Sequence, residues 1–435
     1  MRDGGRIAAA IDVLSDVLGR HQPVKVAARD WGKRARYAGS KDLAWVSGLV
    51  LDALRKRNSI AHAMGDDTPR GLILGALSFA WGWDIRRIDD AMDEPHAPSK
   101  LTLQERERLV MAPDVTAEPH IAGDYPEWLT PHMQRAFGEL SAVEGQAMAV
   151  RADVDLRVNT LKVDAEKASA PLRSAKAEPS RLLHHAFHIP ARDPSQREAS
   201  FYNIPAYSNV LVEVQDAGSQ IAAAAANARP GEQVLDYCSG GGGKTLALAA
   251  AMGGKGQVFA YDIDGRRLSA IIPRLKRSGA HNVQLLHPSE PEALEVLKGQ
   301  MDCVFVDAPC TGTGTWRRRP DTKWRVKPKS LETRISQQDE VLSKAAAYVK
   351  PGGRLLYATC SFLVEEDEDR VDAFLATHAD WSQEDAVTHA QESGLLTEEG
   401  VAIIKAGQGP SGSVRLTPRS AGTDGFFFAM LRRQG

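Results

Sequence analysis

Residues 234–252 read VLDYCSGGGGKTLALAAAM: a short apolar run, a turn of four glycines, then an alanine- and leucine-rich stretch. The first part reads as a buried strand bounded by glycine and the last as a helix. In that order they bring the free N–H groups of a helix start to a place where backbone and ligand can approach closely. Nineteen positions past Gly243 (262 − 243), the run FAYDID places Asp262 at the end of the next strand. An acid there can accept hydrogen bonds from both ribose hydroxyls of an adenosine-containing cofactor. Asp236 precedes the turn, where it could meet a cofactor's ammonium group. The layout suits dinucleotides and S-adenosylmethionine alike, since the GxGxxG order is missing. GGGGKT also looks like the end of a phosphate-binding P-loop, with DCVFVD as its acidic strand. The P-loop pattern requires glycine where Cys238 stands, so an ATPase reading fails at the residue that shapes the loop.

Outward from this stretch, strands and helices alternate. Strands are expected at Gln233–Cys238, Gln257–Asp262, Val283–Leu286, Cys303–Asp307, Arg354–Ala358 and Phe426–Leu431. Helices are expected near Lys244–Met252, Arg266–Ser278, Leu331–Val349 and Glu366–Thr377, which implies an α/β fold with a parallel sheet covered on both faces. Before about residue 110 the spacing is helical instead, as in Ile7, Ile11, Leu14, Leu18 and in Leu43, Val46, Val50, Leu54. The proline- and charge-rich stretch Glu94–Pro131 reads as a linker or seam, and VDLRVNTL near 154–161 as a strand. The expected division is a helical domain over 1–125, a small α/β segment and linker over 126–208, and a catalytic domain over 209–435.

With 435 residues, two or three domains are expected; 43% hydrophobic and 25% charged residues describe a globular chain. A net charge of −2 announces no global basic field, although binding follows local patches. No apolar window is long enough to span a membrane, and the N-terminal stretch lacks a cleavage signal. The four cysteines lack CxxC spacing, which argues for reduced thiols, no metal site and a cytoplasmic protein.

Two of those cysteines are candidates for chemistry, the alternative being that they are small buried hydrophobes. Cys310 ends VFVDAPCTGTG and Cys360 ends LLYATC, so both fall just past strand ends at one sheet edge, beside Asp307. A thiolate can add to C6 of a pyrimidine and make C5 nucleophilic toward an activated methyl group. A carboxyl at N3 assists that addition, and a base must later remove the C5 proton. Cys303 lies inside its strand and reads as core.

The ordered set LRVNTLK, QDAGSQ, DYCSGGGGKT, DIDGRRL, DAPCTGTGTWRRRPD, YATCSF and GTDGFFFAML resembles the Nop/Sun family of RNA (cytosine-5) methyltransferases, in its RsmB-like bacterial ribosomal-RNA branch. The similarity covers about 154–435. It implies a class I (Rossmann-like) S-adenosyl-L-methionine methyltransferase domain with a mixed seven-stranded sheet, preceded by an all-helical, NusB-like domain. By this resemblance Cys360 is the nucleophile, Cys310 assists release, and Asp307 contacts N3 and the exocyclic amine of cytosine. The cofactor would contact Cys238, Ser239, Gly240, Gly241, Gly242, Gly243 and Lys244, with Asp262 on its ribose, Arg267 supporting the loop and Asp307 near by. The family's glycine loop usually carries proline where Gly241 or Gly242 stands, and an acid where this chain offers His287 and Ser289.

Between Thr311 and Ser330, seven basic residues face one acid, with Trp316 and Trp324 among them. Arg317, Arg318, Arg319, Lys323 and Arg325 are therefore candidate RNA contacts, with Trp316 and Trp324 as stacking platforms and Arg157 and Asn159 as further contacts. Single-stranded or loop RNA is the expected partner, because the target base must leave its stack. Lys25, Arg29, Lys33, Arg34 and Arg36 form a second basic cluster. His184, His185 and His188 read as surface residues, and the acidic run Glu365–Asp369 as a helix start. Transfer RNA as substrate, or a non-catalytic assembly factor with the same fold, are the alternatives.

Overall fold

The computed structural model describes residues 1–111, 118–191 and 205–435. The chain divides into two compact units, one built from Met1–Arg151 with Thr315–Val326, the other from Ala152–Pro190, Lys327–Gly435 and the described part of Ser200–Gly314.

The first unit is helical. Helices Asp3–Arg20, Val24–Arg34 and Ser40–Arg55 pack apolar faces together, and Pro69–Gly75 is buried all round from Gly71 to Gly75. Ile7, Ala10, Val13, Leu14 and Val17 on the first meet a core that includes Val46, Leu49, Val50, Ala53 and Leu54 from the third. Each fully buried Leu, Ile or Val contributes roughly 1.5–3 kcal/mol of transfer free energy. Helices continue through Leu103–Val110 and Ser141–Met148, so the helical unit extends past the Glu94–Pro131 stretch to Arg151. Pro113 of that stretch lies outside the described residues.

Thr315–Val326 belongs to this unit and closes the end of the helix Ser40–Arg55. The final carbonyls of a helix have no partner within it and carry partial negative charge. Trp324 Nε1 donates to Leu54 O at 2.7 Å and Lys323 Nζ to Arg55 O at 2.9 Å. Arg55 Nη2 donates in return to Arg317 O at 2.9 Å. The Lys323 ammonium also lies 5.6 Å and 5.2 Å from the rings of Trp316 and Trp324.

The second unit holds two sheets. A small antiparallel one, in the order β2–β3–β1–β4, is made of β1 (Val154–Val158), β2 (Glu178–Pro179), β3 (Ala186–Ile189) and β4 (Val212–Val214). The large sheet comprises β5 (Gln233–Asp236), β6 (Gln257–Tyr261), β7 (Val283–Leu286), β8 (Met301–Asp307), β9 (Val349–Thr359), β10 (Trp381–Glu384), β11 (Val414–Leu416) and β12 (Phe426–Arg433). Its order is β10–β12–β9–β8–β5–β6–β7, with β11 paired to β12. Strands β5 to β9 are mutually parallel, while β12 runs antiparallel to β9, and β10 and β11 antiparallel to β12. The fold class expected from the sequence is borne out, with β11 as an eighth strand.

All six anticipated strands of the large sheet are present. Trp381–Glu384 (WSQE) was not anticipated because a polar edge strand lacks an apolar run, and Val414–Leu416 is too short to show one. The expected helix Arg266–Ser278 is two helices, Gly265–Ser269 and Ile272–Ser278. Pro273, with no N–H to bond back into the preceding turn, explains the break.

Candidate active site

Strands β5, β8 and β9 are neighbours, with Asp236 opposite Phe305 and Asp307 opposite Ala358, so their C-terminal ends reach one edge together. Three loops leave that edge: the glycine turn, the segment carrying Cys310, and the segment opening with Cys360. Cys310 Sγ and Cys360 Sγ lie 3.3 Å apart, within sulfur hydrogen-bond reach. The hydrogen bond to Cys360, then burial, then the nearby charges raise the Cys310 pKa well above its ordinary value and hold it as a thiol. Cys303 is wholly buried and serves the core.

Asp307 accepts a hydrogen bond from Lys244 Nζ at 2.7 Å, and that ammonium lies 5.3 Å from the Phe426 ring. Burial alone would lower the Lys244 pKa. The charge and hydrogen bond of Asp307 outweigh it, so the pKa is raised and Lys244 stays protonated.

The four glycines of the loop are not equivalent. Gly240 and Gly242 have φ of +52° and +78°. A Cβ on Gly242 would lie 2.0 Å from Ile271 Cδ1, so both the backbone and the space require glycine there. A Cβ on Gly241 would find its nearest neighbour at 3.9 Å, and one on Gly243 nothing within 4 Å. The position able to carry proline is therefore Gly241, since proline's fixed negative φ is incompatible with Gly242.

Asp262 is buried and holds the loop itself. One oxygen accepts from Gly240 N at 2.8 Å and the other from Asp264 N at 2.9 Å. Each carboxylate oxygen retains a second lone pair for a ribose hydroxyl. Arg267, largely exposed, reaches within 3.9 Å of the same carboxylate. Ser239 is pinned by its N–H to Tyr261 O at 2.9 Å, and Cys238 packs partly buried beside Tyr261 in the core. Asp236 departs from the sequence reading. It is 0% exposed beneath the loop, accepts from Thr245 Oγ1 at 2.6 Å, and burial pushes its pKa up to about 7. It is closed off from solvent and serves the loop's foundation through Thr245.

Beside Asp262, an open hollow of about 680 Å³ is lined by Ile263, Asp264, Gly265, Arg266, Ser269 and His287–Ser289. Ile263 is 83% exposed, an apolar side chain open to that hollow. The sequence reading missed it, although an isoleucine directly after the strand-end acid was a visible signal. His287 Nδ1 and Ser289 Oγ are hydrogen-bonded at 2.6 Å where the family places an acid.

The candidate RNA contacts are scattered rather than assembled. Arg157 is buried, donates from Nε to Gln215 Oε1 at 2.7 Å, and burial lowers its pKa to about 10. Asn159 is buried too, bridging Val210 O and Ser278 O. Trp316 and Lys323 are each 1% exposed and Arg317 is buried, which turns these three from an open basic face into packing of the helical unit. Physically, the open carbonyls of the helix Ser40–Arg55 compete with solvent for Lys323 and Trp324, and the Arg317 carbonyl accepts from Arg55 in return. Arg318, Trp324 and Arg325 are partly exposed, with Arg325 paired to Asp321 at 3.1 Å, and Arg319 is exposed. Lys25, Arg29, Lys33, Arg34 and Arg36 are exposed, although Trp31 is buried. Among the described residues no group of three or more His, Cys, Asp or Glu could hold a metal, and no helix is long and apolar enough to cross a membrane.

Comparison with known proteins places these features in a family context. Residues 223–432 match the family model described as 16S rRNA methyltransferase RsmB/F. The ribosomal RNA small subunit methyltransferase B of Erwinia tasmaniensis is 29% identical over 310 residues, covering 71% of this chain and 66% of that protein. The match thus spans just under two thirds of that relative's length. The crystal structure of PH0851 superposes with a TM-score of 0.71 at 25% identity, covering 100% of this chain and 99% of its own. A methyltransferase homolog protein from Pyrococcus horikoshii gives a TM-score of 0.57 at 27% identity, over 72% of this chain and 97% of its own. The resemblance drawn from the motifs is borne out.

Proposed function

With the catalytic unit of an RsmB/F-type methyltransferase as premise, we propose that the chain transfers a methyl group from S-adenosyl-L-methionine to C5 of cytosine in RNA, ribosomal RNA foremost. The route is a covalent adduct between Cys360 and C6 of the base. One observation carries the reading: two thiols 3.3 Å apart at the sheet edge where Asp307 pairs with Lys244. The cofactor supplies an electrophilic methyl group. The glycine loop, Asp262 and the hollow at Ile263 would hold it, glycine backbone against the amino-acid end and Ile263 against the ring.

Asp307 accepts from the exocyclic amine, and from N3 once N3 carries a proton, and Lys244 holds Asp307 in place. The Cys360 thiolate attacks C6, the C5=C6 electrons move to C5, and C5 takes the methyl group as its bond to the cofactor's sulfonium sulfur would break, the bonding pair staying on the departing thioether. A base then takes the C5 proton, C5=C6 reforms, and the C6–S bond breaks to return the Cys360 thiolate. Cys310 is the group placed to serve that release. Once Cys360 is bonded to carbon, its hydrogen bond to Cys310, the first cause of the high Cys310 pKa, is gone.

The test is a denaturing gel of Cys310→Ala and Cys360→Ala incubated with unmodified total RNA and S-adenosylmethionine. A slow-migrating protein–RNA adduct from Cys310→Ala alone supports this assignment, and sequencing the trapped RNA separates ribosomal from transfer RNA. An adduct from Cys360→Ala alone swaps the roles. No adduct from either, with cofactor binding intact, turns the reading toward an RNA-binding assembly factor.

A further inference from the structure

The acidic run Glu365–Asp369 does more than open a helix. The helix begins at Glu368, and the two residues before it, Glu366 and Asp367, are 0% exposed. Each holds the neighbour of one thiol. Glu366 accepts from Thr311 N at 2.7 Å and from Thr311 Oγ1 at 2.5 Å, and Thr311 directly follows Cys310. Asp367 accepts from Thr359 Oγ1 at 2.6 Å, and Thr359 directly precedes Cys360. Gln338 completes the grip, with Nε2 donating to Pro309 O at 2.9 Å and to Glu366 Oε1 at 3.1 Å. Residues on both sides of Cys310 are thereby tied to one carboxylate and one amide. Glu366 is itself fixed by Tyr357, whose hydroxyl donates to Glu366 O at 2.7 Å.

A loop that leaves a strand is free to sample other backbone states unless its polar groups are engaged. Here two buried carboxyl groups engage them in a low-dielectric setting, where hydrogen bonds are strong, and burial raises the pKa of both Glu366 and Asp367. The arrangement also explains why two carboxyl groups are buried at all, since burying them needs specific partners.

We propose that Glu366, acting with Gln338, is a positioning residue that holds the Cys310 loop where it can complete release of the RNA adduct. The inference rests on the covalent mechanism proposed above. Loss of the Glu366 carboxylate leaves Cys360 able to attack while Cys310 drifts from its place, so the adduct forms and lingers. The electron and proton bookkeeping of release is unchanged; only the position of the assisting thiol is altered.

The experiment compares wild type, Cys310→Ala, Glu366→Ala, Glu366→Gln and Gln338→Ala by denaturing gel with unmodified RNA and S-adenosylmethionine. S-adenosylmethionine-induced thermal stabilisation serves as the check on folding. Glu366→Ala is expected to accumulate adduct at least about tenfold over wild type, approaching Cys310→Ala. Glu366→Gln keeps one acceptor oxygen for Thr311 and should relieve part of that accumulation. Gln338→Ala, a milder cut of the same grip, should accumulate a few-fold and answers the question if Glu366→Ala does not fold. Folded variants that lose methylation without accumulating adduct, or that turn over as wild type, overturn the inference while Cys310→Ala still traps. Failure of Cys310→Ala itself to trap overturns the mechanism beneath it.

Discussion

Two consecutive segments, 303–314 and 315–326, are both dense in reactive or charged side chains, yet the structure treats them in opposite ways. The first leaves β8 and keeps Asp307, Cys310 and the facing Cys360 at a sheet edge, where a ligand can reach them. The second gives Trp316, Arg317 and Lys323 to the interior of the helical unit, where Lys323 serves a helix end. Residue type alone therefore does not decide whether a group meets a ligand or the protein. What decides is which unsatisfied polar groups lie within reach when the chain folds.

That contrast can be broken most severely at Cys360. Cys360→Ala should abolish methylation by about a thousandfold or more, with little change in thermal stability, measured by methyl incorporation and a melting curve. Next, Lys323→Ala should destabilise the helical unit by about 1–3 kcal/mol, because the Arg55 carbonyl loses its donor in a buried place. Its exposed neighbour Arg319→Ala should leave the melting temperature alone and lower the salt dependence of RNA binding by about one unit of slope. If Lys323→Ala instead changes only the salt slope, the buried assignment is wrong.

The glycine loop sharpens the same point at smaller scale. Gly242→Ala should cost about 1–3 kcal/mol and weaken cofactor binding, from strain at positive φ and collision with Ile271. Gly241→Ala should stabilise by about 0.4–1 kcal/mol if its backbone suits alanine, by restricting the unfolded chain. Equal losses from both would undo the distinction between the two positions.

A further prediction concerns pH. The Asp236 carboxyl titrates near 7 when folded, above its ordinary value of 3.8. The folded state then holds a proton that the unfolded chain releases, so this group's contribution to stability declines as pH rises from about 4 to about 7. Asp236→Asn lacks that titration. The stability of Asp236→Asn relative to wild type should therefore grow between pH 5 and pH 8, by a few kcal/mol at most. A difference that stays flat across this range in denaturant titrations would refute the burial argument.

The sheet and its reactive edge were legible because buried parallel strands write themselves as apolar runs, and because the ends of VFVDAPC and LLYATC are marked by turn residues. Asp307, Cys310 and Cys360 accordingly meet where the reading put them. The RNA surface was less legible. A cluster of arginines and tryptophans in sequence carries no sign that the carbonyls of Leu54 and Arg55 lie within reach of it. Asp236 was misplaced for a related reason, since periodicity cannot tell which side of a strand end faces the cavity. The pairing of Glu366 with Thr311 was invisible altogether, joining the Glu366 carboxyl to the main-chain N–H and hydroxyl of a residue 55 positions away.

The membership of Thr315–Val326 in the helical unit has a consequence for how the chain acquires its structure. On the ribosome, the segment emerges 164 residues after Arg151 (315 − 151), behind four of the eight strands of the large sheet. Until then the newly made helices lack Trp316 and Lys323, and the end of the helix Ser40–Arg55 stays uncapped. The N-terminal helices are therefore expected to persist as an incompletely packed intermediate during synthesis, a candidate client for chaperones. Such long-range closure slows folding, and it makes final consolidation of the helical unit wait on the strand that ends in Asp307.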